Sequence, residues 1–207
     1  MSLVELIAQA DERGLAASGL ACLDRCVPVL GGDDDVLRPL WASLAEGGDW
    51  TGPLAEARSA LGSCAGPADR AAGGGASHEA VTLTRRMLDA APAGHSGAEV
   101  REWADGCSVA ALQVHRLLDT APSGATRSVA ARREGRADGT SSLSPSPQSA
   151  LSSPLVAAEL RRQVRILELL SNRGAGPAGG LRQALDVSME GRRVLRAVVS
   201  RRARGRG

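Results

Sequence analysis

Apolar residues recur along this chain at alternating intervals of three and four, the spacing that gathers side chains on one face of an α-helix. No stretch shows the period-two alternation of a half-buried strand. Leu3, Ile7 and Ala10 outline a first helix that Gly14 should end. Leu15, Gly19, Leu23 and Cys26 outline a second, stopped by Pro28 and Gly31-Gly32. Val36, Leu37, Leu40, Trp41 and Leu44 follow Asp33, Asp34 and Asp35, whose charge suits the positive end of a helix dipole, and Gly47-Gly48 closes that helix. Thr51 as a cap and Pro53 as an early helical proline open a fourth helix through Leu61. Ser77 caps a fifth bearing Val81, Thr84 and Leu88, which ends before Pro92. Ser96 and Glu99 read as a capping box for the best-patterned helix, with Val100, Trp103, Cys107, Ala110, Val114 and Leu117 in its stripe. That stripe is expected at the centre of the bundle.

The pattern then breaks. Residues 121–153 are rich in Ser, Gly, Pro and Arg and cannot supply a core, so they read as a disordered linker. Helical spacing resumes at Pro154 with Val156, Leu160, Val164, Leu167 and Leu170, and again from Leu181 to about Val199, before an arginine-rich end expected to fray. The chain is therefore expected to be all-α: an acidic bundle of about six helices over 1–120, the linker 121–153, and a basic helical pair over 154–207.

Composition adjusts this picture. Of 207 residues 43% are apolar, yet Phe and Tyr are absent and three Trp are the only aromatics, so the core must be built from Leu, Val and Ala packed closely. All 25 basic residues are arginine. Coding pressure from a GC-rich genome explains that choice, but not where the arginines fall. Residues 1–120 carry a balance of −8 and residues 121–207 one of +10, which together give the net +2. Charge segregated in this way serves an acidic partner, or lets one part of a chain neutralise the other. The amino terminus lacks a signal-peptide pattern and no apolar run suits a bilayer span, so a cytoplasmic protein without a membrane partner is expected. In that compartment Cys22, Cys26, Cys64 and Cys107 are expected as reduced thiols packed like small hydrophobes.

Candidate chemistry is sparse. The absence of lysine excludes a Walker A loop, a Schiff-base enzyme and a standard protein-kinase site. Gly174-Ala175-Gly176-Pro177-Ala178-Gly179 matches G-x-G-x-x-G, but a helix precedes it where a dinucleotide fold needs a strand. Cys22 and Cys26 share a helical face that core packing explains more simply than a metal site. His115 borders the stripe of Ala111, Val114 and Leu118 as a boundary residue, and helix capping explains Asp33–Asp35 better than a divalent cation. No catalytic residue, cofactor or metal is expected.

The segment from Leu181 to Ser188 resembles the middle of a helix-turn-helix, with Asp186 where the turn often has Gly. That resemblance implies a recognition helix whose Arg192, Arg193 and Arg196 reach phosphates or guanine edges. The simpler reading is one continuous amphipathic helix through Leu181, Leu185 and Met189. Arg161, Arg162 and Arg165 add a basic cluster, in which Glu168 can pair with Arg165, and Arg201 and Arg202 extend the charge. The expected function is a non-catalytic interaction or regulatory protein, with a nucleic-acid-binding regulator as the alternative. In either case these eight arginines are the expected contacts, to an acidic partner, to nucleic acid or to residues 1–120 themselves.

Overall fold

A helix that is apolar all round must be covered on every side, and the run from Leu15 to Leu30 is nearly that. The computed structural model describes residues 3–63, 75–94, 97–119, 153–172 and 176–204. Its organising element is helix α2 (Glu12–Leu30), in which every residue from Gly14 onward is buried. Asp11 caps its start, accepting a hydrogen bond from the Gly14 N–H at 2.7 Å, so Gly14 lies inside α2 rather than ending the helix before it. Pro28 is accommodated in the last turn, and the stop comes at Gly31, whose φ of 75° is the left-handed conformation that favours glycine.

The other helices are arranged around α2. They are α1 (Leu3–Gln9), α3 (Arg38–Glu46), α4 (Thr51–Gly62), α5 (Gly75–Asp89), α6 (Gly97–Asp119), α7 (Pro154–Ser171) and α8 (Gly176–Arg204). The described chain is all-helical, with six helices before residue 120 and two after residue 152. Helix α2 touches α3, α5, α6, α7 and α8. The central place expected for the 100–117 stripe thus belongs to α2. Helix α6 is one of its walls, buried through Val100, Trp103, Cys107, Ala111, Val114 and Leu118, while Ala110 and Leu117 lie at the margin.

Helices α7 and α8 pack against each other and against the amino-terminal helices. Ser153 caps α7, accepting from the Val156 N–H at 3.2 Å, and its hydroxyl donates to Asp119 at the end of α6. Helix α8 runs unbroken through residues 181–199, so the sharp turn that a helix-turn-helix needs near Asp186 is absent. It also extends to Arg204, past the point where fraying was expected. Ser96, Cys64 and residues 121–152, which bear on the capping box, one thiol and the linker, lie outside the described residues.

Two tryptophans take the place of the missing Phe and Tyr in the core. Trp50 and Trp103 meet edge to face, with ring centroids 5.6 Å apart. Their indole N–H groups donate to Pro92 O at 3.1 Å and Met87 O at 2.8 Å. Gly19 makes this close approach possible, because a Cβ there would lie 2.7 Å from the Trp103 ring. Gly19→Val is therefore expected to destabilise the protein by about 1–3 kcal/mol, the usual cost of overpacking. Equilibrium urea unfolding measures it, and an unchanged midpoint would mean that α2 and α6 are not in this contact.

Candidate functional site

Asp24 and Arg25 interrupt the apolar run of α2, and both are 0% exposed. Charges buried in this way require partners, and the carboxy-terminal helices provide them. Glu159 of α7 receives two hydrogen bonds from Arg25, from Nε to Oε2 at 2.8 Å and from Nη2 to Oε1 at 2.6 Å. Gln163, one turn along α7, donates to Glu159 Oε1 at 3.0 Å and exchanges hydrogen bonds with Ser108 of α6. From α8, Arg192 Nη1 donates to Asp24 Oδ1 at 2.6 Å and the Ser188 hydroxyl donates to Oδ2 at 2.7 Å. Gly191 lets α8 come this close, since a Cβ there would overlap the stem of Arg25.

These surroundings set the ionisation. Burial alone would raise the Glu159 carboxyl, but the Arg25 guanidinium outweighs it and holds the pKa at about 2. Burial pushes the Asp24 carboxyl up, against the pull of Arg192. His115 is buried, with Nδ1 2.8 Å from the Ala111 carbonyl and Nε2 3.5 Å from Glu159 Oε2. A carbonyl only accepts, so Nδ1 carries the hydrogen. Burial lowers the pKa of this imidazole although Glu159 pulls it up. The expected boundary histidine is thus an interior one. Burial also pushes the Cys22 thiol up to about 12, and those of Cys26 and Cys107 well above their ordinary value. All three are free and buried, as packed hydrophobes should be.

The eight arginines singled out from the sequence separate into two groups. Arg192 is buried on Asp24, with Nε also 3.3 Å from Asp34. Arg196 binds Asp34 at 2.7 Å and donates to Gly32 O at 3.1 Å. Arg202 donates to Leu117 O at 3.0 Å. Arg192 faces inward, while Arg196, its side chain 42% exposed, and the half-buried Arg202 lie at the margin, each held by a partner within the chain. Arg161, Arg165, Arg193 and Arg201 are exposed, Arg162 is half-buried, and Arg165 lies 3.7 Å from Glu168. The acidic run is also put to another use. Asp33 accepts from the Asp35 N–H within a turn, Asp34 binds the arginines of α8, and α3 starts at Leu37 without a side-chain cap.

Arginines bound to backbone carbonyls recur at helix ends. Arg101 donates to Ile7 O in the last turn of α1, and Arg13 to Ala45 O in that of α3. Arg58 reaches Leu88, Asp89 and Ala91 at the end of α5. Arg202 serves α6 in the same way, and Arg196 the carbonyl just past α2. Each guanidinium donates to a carbonyl in or just past the last turn of a helix, and places positive charge at the negative end of a helix dipole.

One surface has no such internal use. Between α5 and α6 lies an open groove of about 530 Å³ whose walls are largely apolar, from Leu83, Met87 and Ala90 on one side and Trp103, Val109 and Ala110 on the other. Val109 is 56% exposed at its edge. Among the described residues, no three His, Cys, Asp or Glu side chains converge as metal ligands, and no helix is long and apolar enough to cross a membrane. The chain matches no family model, no curated protein and no solved structure.

The sequence reading missed the Asp24–Arg25 centre. Its signal was there: two adjacent charges within an otherwise apolar helix. Replacing Glu159 with Ala strands a buried guanidinium and is expected to cost about 3–5 kcal/mol, read by chemical denaturation. A loss below 1 kcal/mol, on the scale of an exposed pair, would contradict the buried geometry.

Three shifts bear on the pH dependence, and they do not share a sign: the raised Asp24 carboxyl gives stability that is lost as pH rises, whereas the lowered His115 and Glu159 lose theirs as pH falls. His115 is lowered from its ordinary 6.5, so the unfolded chain takes up this proton more readily, and stability is lost as pH falls through 6.5. The Glu159 contribution persists until pH falls below its ordinary 4.5 and is lost toward 2. Between pH 7 and 5 the melting temperature should therefore fall more steeply than in a His115→Gln variant, in which the Asp24 and Glu159 contributions remain. An equal slope in the variant would remove His115 from the account.

Proposed function

We propose that this chain is a non-catalytic interaction protein whose working surface is α6 with the groove beside it, a seat for an apolar helical face. The observation that carries this reading is the groove itself: an open apolar trough bordered by a strongly exposed valine, in a chain whose other large hydrophobics are mostly buried. Concave apolar surfaces between two helices are a common mode of helix recognition.

The state of the reactive groups supports the non-catalytic part. A nucleophilic cysteine needs a lowered pKa and access, whereas the described thiols are raised and enclosed. His115 is held away from solvent by the same network that holds the fold together. The nucleic-acid alternative has less support, because Arg192 and Arg196 are committed to Asp24 and Asp34.

Site-specific photo-crosslinking tests the reading. A photoreactive residue in place of Gln113, which lines the groove, should give a discrete crosslinked species in cells that express the protein. The same residue in place of Arg182, exposed on α8, should not. No species at position 113 beyond the α8 control would overturn the proposal.

A further inference from the structure

The surface of α6 is complementary to itself when inverted. Climbing the helix at spacings of three and four, one line of its exposed positions is Glu99, Glu102, Gly106, Val109, Gln113 and Arg116, with Asp105 exposed beside it. This is the seam a helix offers to another helix packed along it. Let a second copy of α6 lie antiparallel on the first, related by a two-fold axis between Gly106 and Val109. Gly106 then faces Val109, Glu102 faces Gln113, and Glu99 faces Arg116, each pairing occurring twice. A knob meets a gap and a carboxylate meets a guanidinium, as an isologous contact requires.

Gly106 is a second, independent indication. A glycine inside a helix weakens it relative to alanine, and Gly19 and Gly191 are explained by the atoms that a Cβ would strike. A Cβ at Gly106 would meet nothing within 4 Å, so nothing among the described residues requires the missing side chain. An opposing valine would. The groove between α5 and α6 adjoins this seam and shares Gly106, Val109 and Gln113 with it, giving the incoming helix an apolar wall on one side.

We infer that the occupant of the α6 surface is a second copy of this chain, bound antiparallel through Gly106 and Val109 to form a two-fold dimer. The inference rests on the reading of α6 as the working surface and names its partner. The seam spans ~26 Å of helix, at 1.5 Å per residue. So narrow a contact lies at the small end of specific interfaces, where weak association is expected, and about the micromolar range is where it is sought.

Sedimentation equilibrium of the full chain from about 5 to 500 µM tests it across that range. A monomer–dimer equilibrium is expected. Gly106→Leu fills space that is open in the monomer, so the variant should melt no lower at dilution yet associate at least about tenfold more weakly, as should Val109→Arg. Glu99→Arg alone should weaken association, and combining it with Arg116→Glu should restore it, which only the antiparallel arrangement allows. A single monomer mass at every concentration would overturn the inference, and so would a double variant no better than Glu99→Arg alone. If Gln113 then crosslinks to a different protein, the dimer fails while the interaction reading stands. If it crosslinks to nothing, both fail.

Discussion

The fold depends on the partnering of two adjacent charges placed where no water reaches them. Asp24 and Arg25 lie within the buried run of α2, from Gly14 to Leu30, which is otherwise apolar but for Ser18. Each left alone would carry a desolvation cost that a core of Leu, Val and Ala cannot offset. Each finds its counter-charge in a different carboxy-terminal helix, Glu159 in α7 and Arg192 in α8. Those two contacts fix which faces of α7 and α8 turn inward, and Gln163 and Ser188 add a further hydrogen bond to Glu159 and Asp24. Hydrophobic area favours collapse in many arrangements, whereas a bidentate guanidinium–carboxylate pair is satisfied in few.

Arginine does related work at the surface of the bundle. Five helices end on carbonyls that accept from an arginine elsewhere in the chain, or have such a carbonyl just beyond their last turn. The planar fork suits this task because one side chain can reach several carbonyls, as Arg58 does at the end of α5. The opposed charges of the two parts of the chain find one physical outlet here. Arg192 and Arg196 of the basic part meet Asp24 and Asp34 of the acidic part.

Periodicity made the helices readable, since it reports which side of each helix is covered. It placed α3, α4 and α7 closely because Gly47, Leu61 and Pro154 are local signals. It misjudged what depends on distant neighbours. Gly14 looks like a stop until the Asp11 cap is seen, and Ser77 looks like a cap although it is buried inside α5. Asp34 suits a helix dipole in the sequence, whereas α8 brings Arg196 to it from 162 residues away. The seam on α6 was hidden for the opposite reason. Attention to its buried stripe passed over the exposed positions, where glycine and valine carry no strong signal individually.

The separation of these partners along the chain has a bearing on the order of synthesis. Arg25 and Glu159 stand 134 residues apart, and Asp24 and Arg192 stand 168 apart. A ribosome delivers the whole amino-terminal part, with α2 in it, well before either counter-charge has left the exit tunnel. Until then the nascent chain has reason to keep α2 loosely packed, since closing around Asp24 and Arg25 would bury them without partners. Long-range pairing of this kind slows folding. It also makes the emergence of α8 the moment at which the core can close, so a chain cut short before α8 would expose the apolar surface of α2 to whatever chaperone or protease stands nearest.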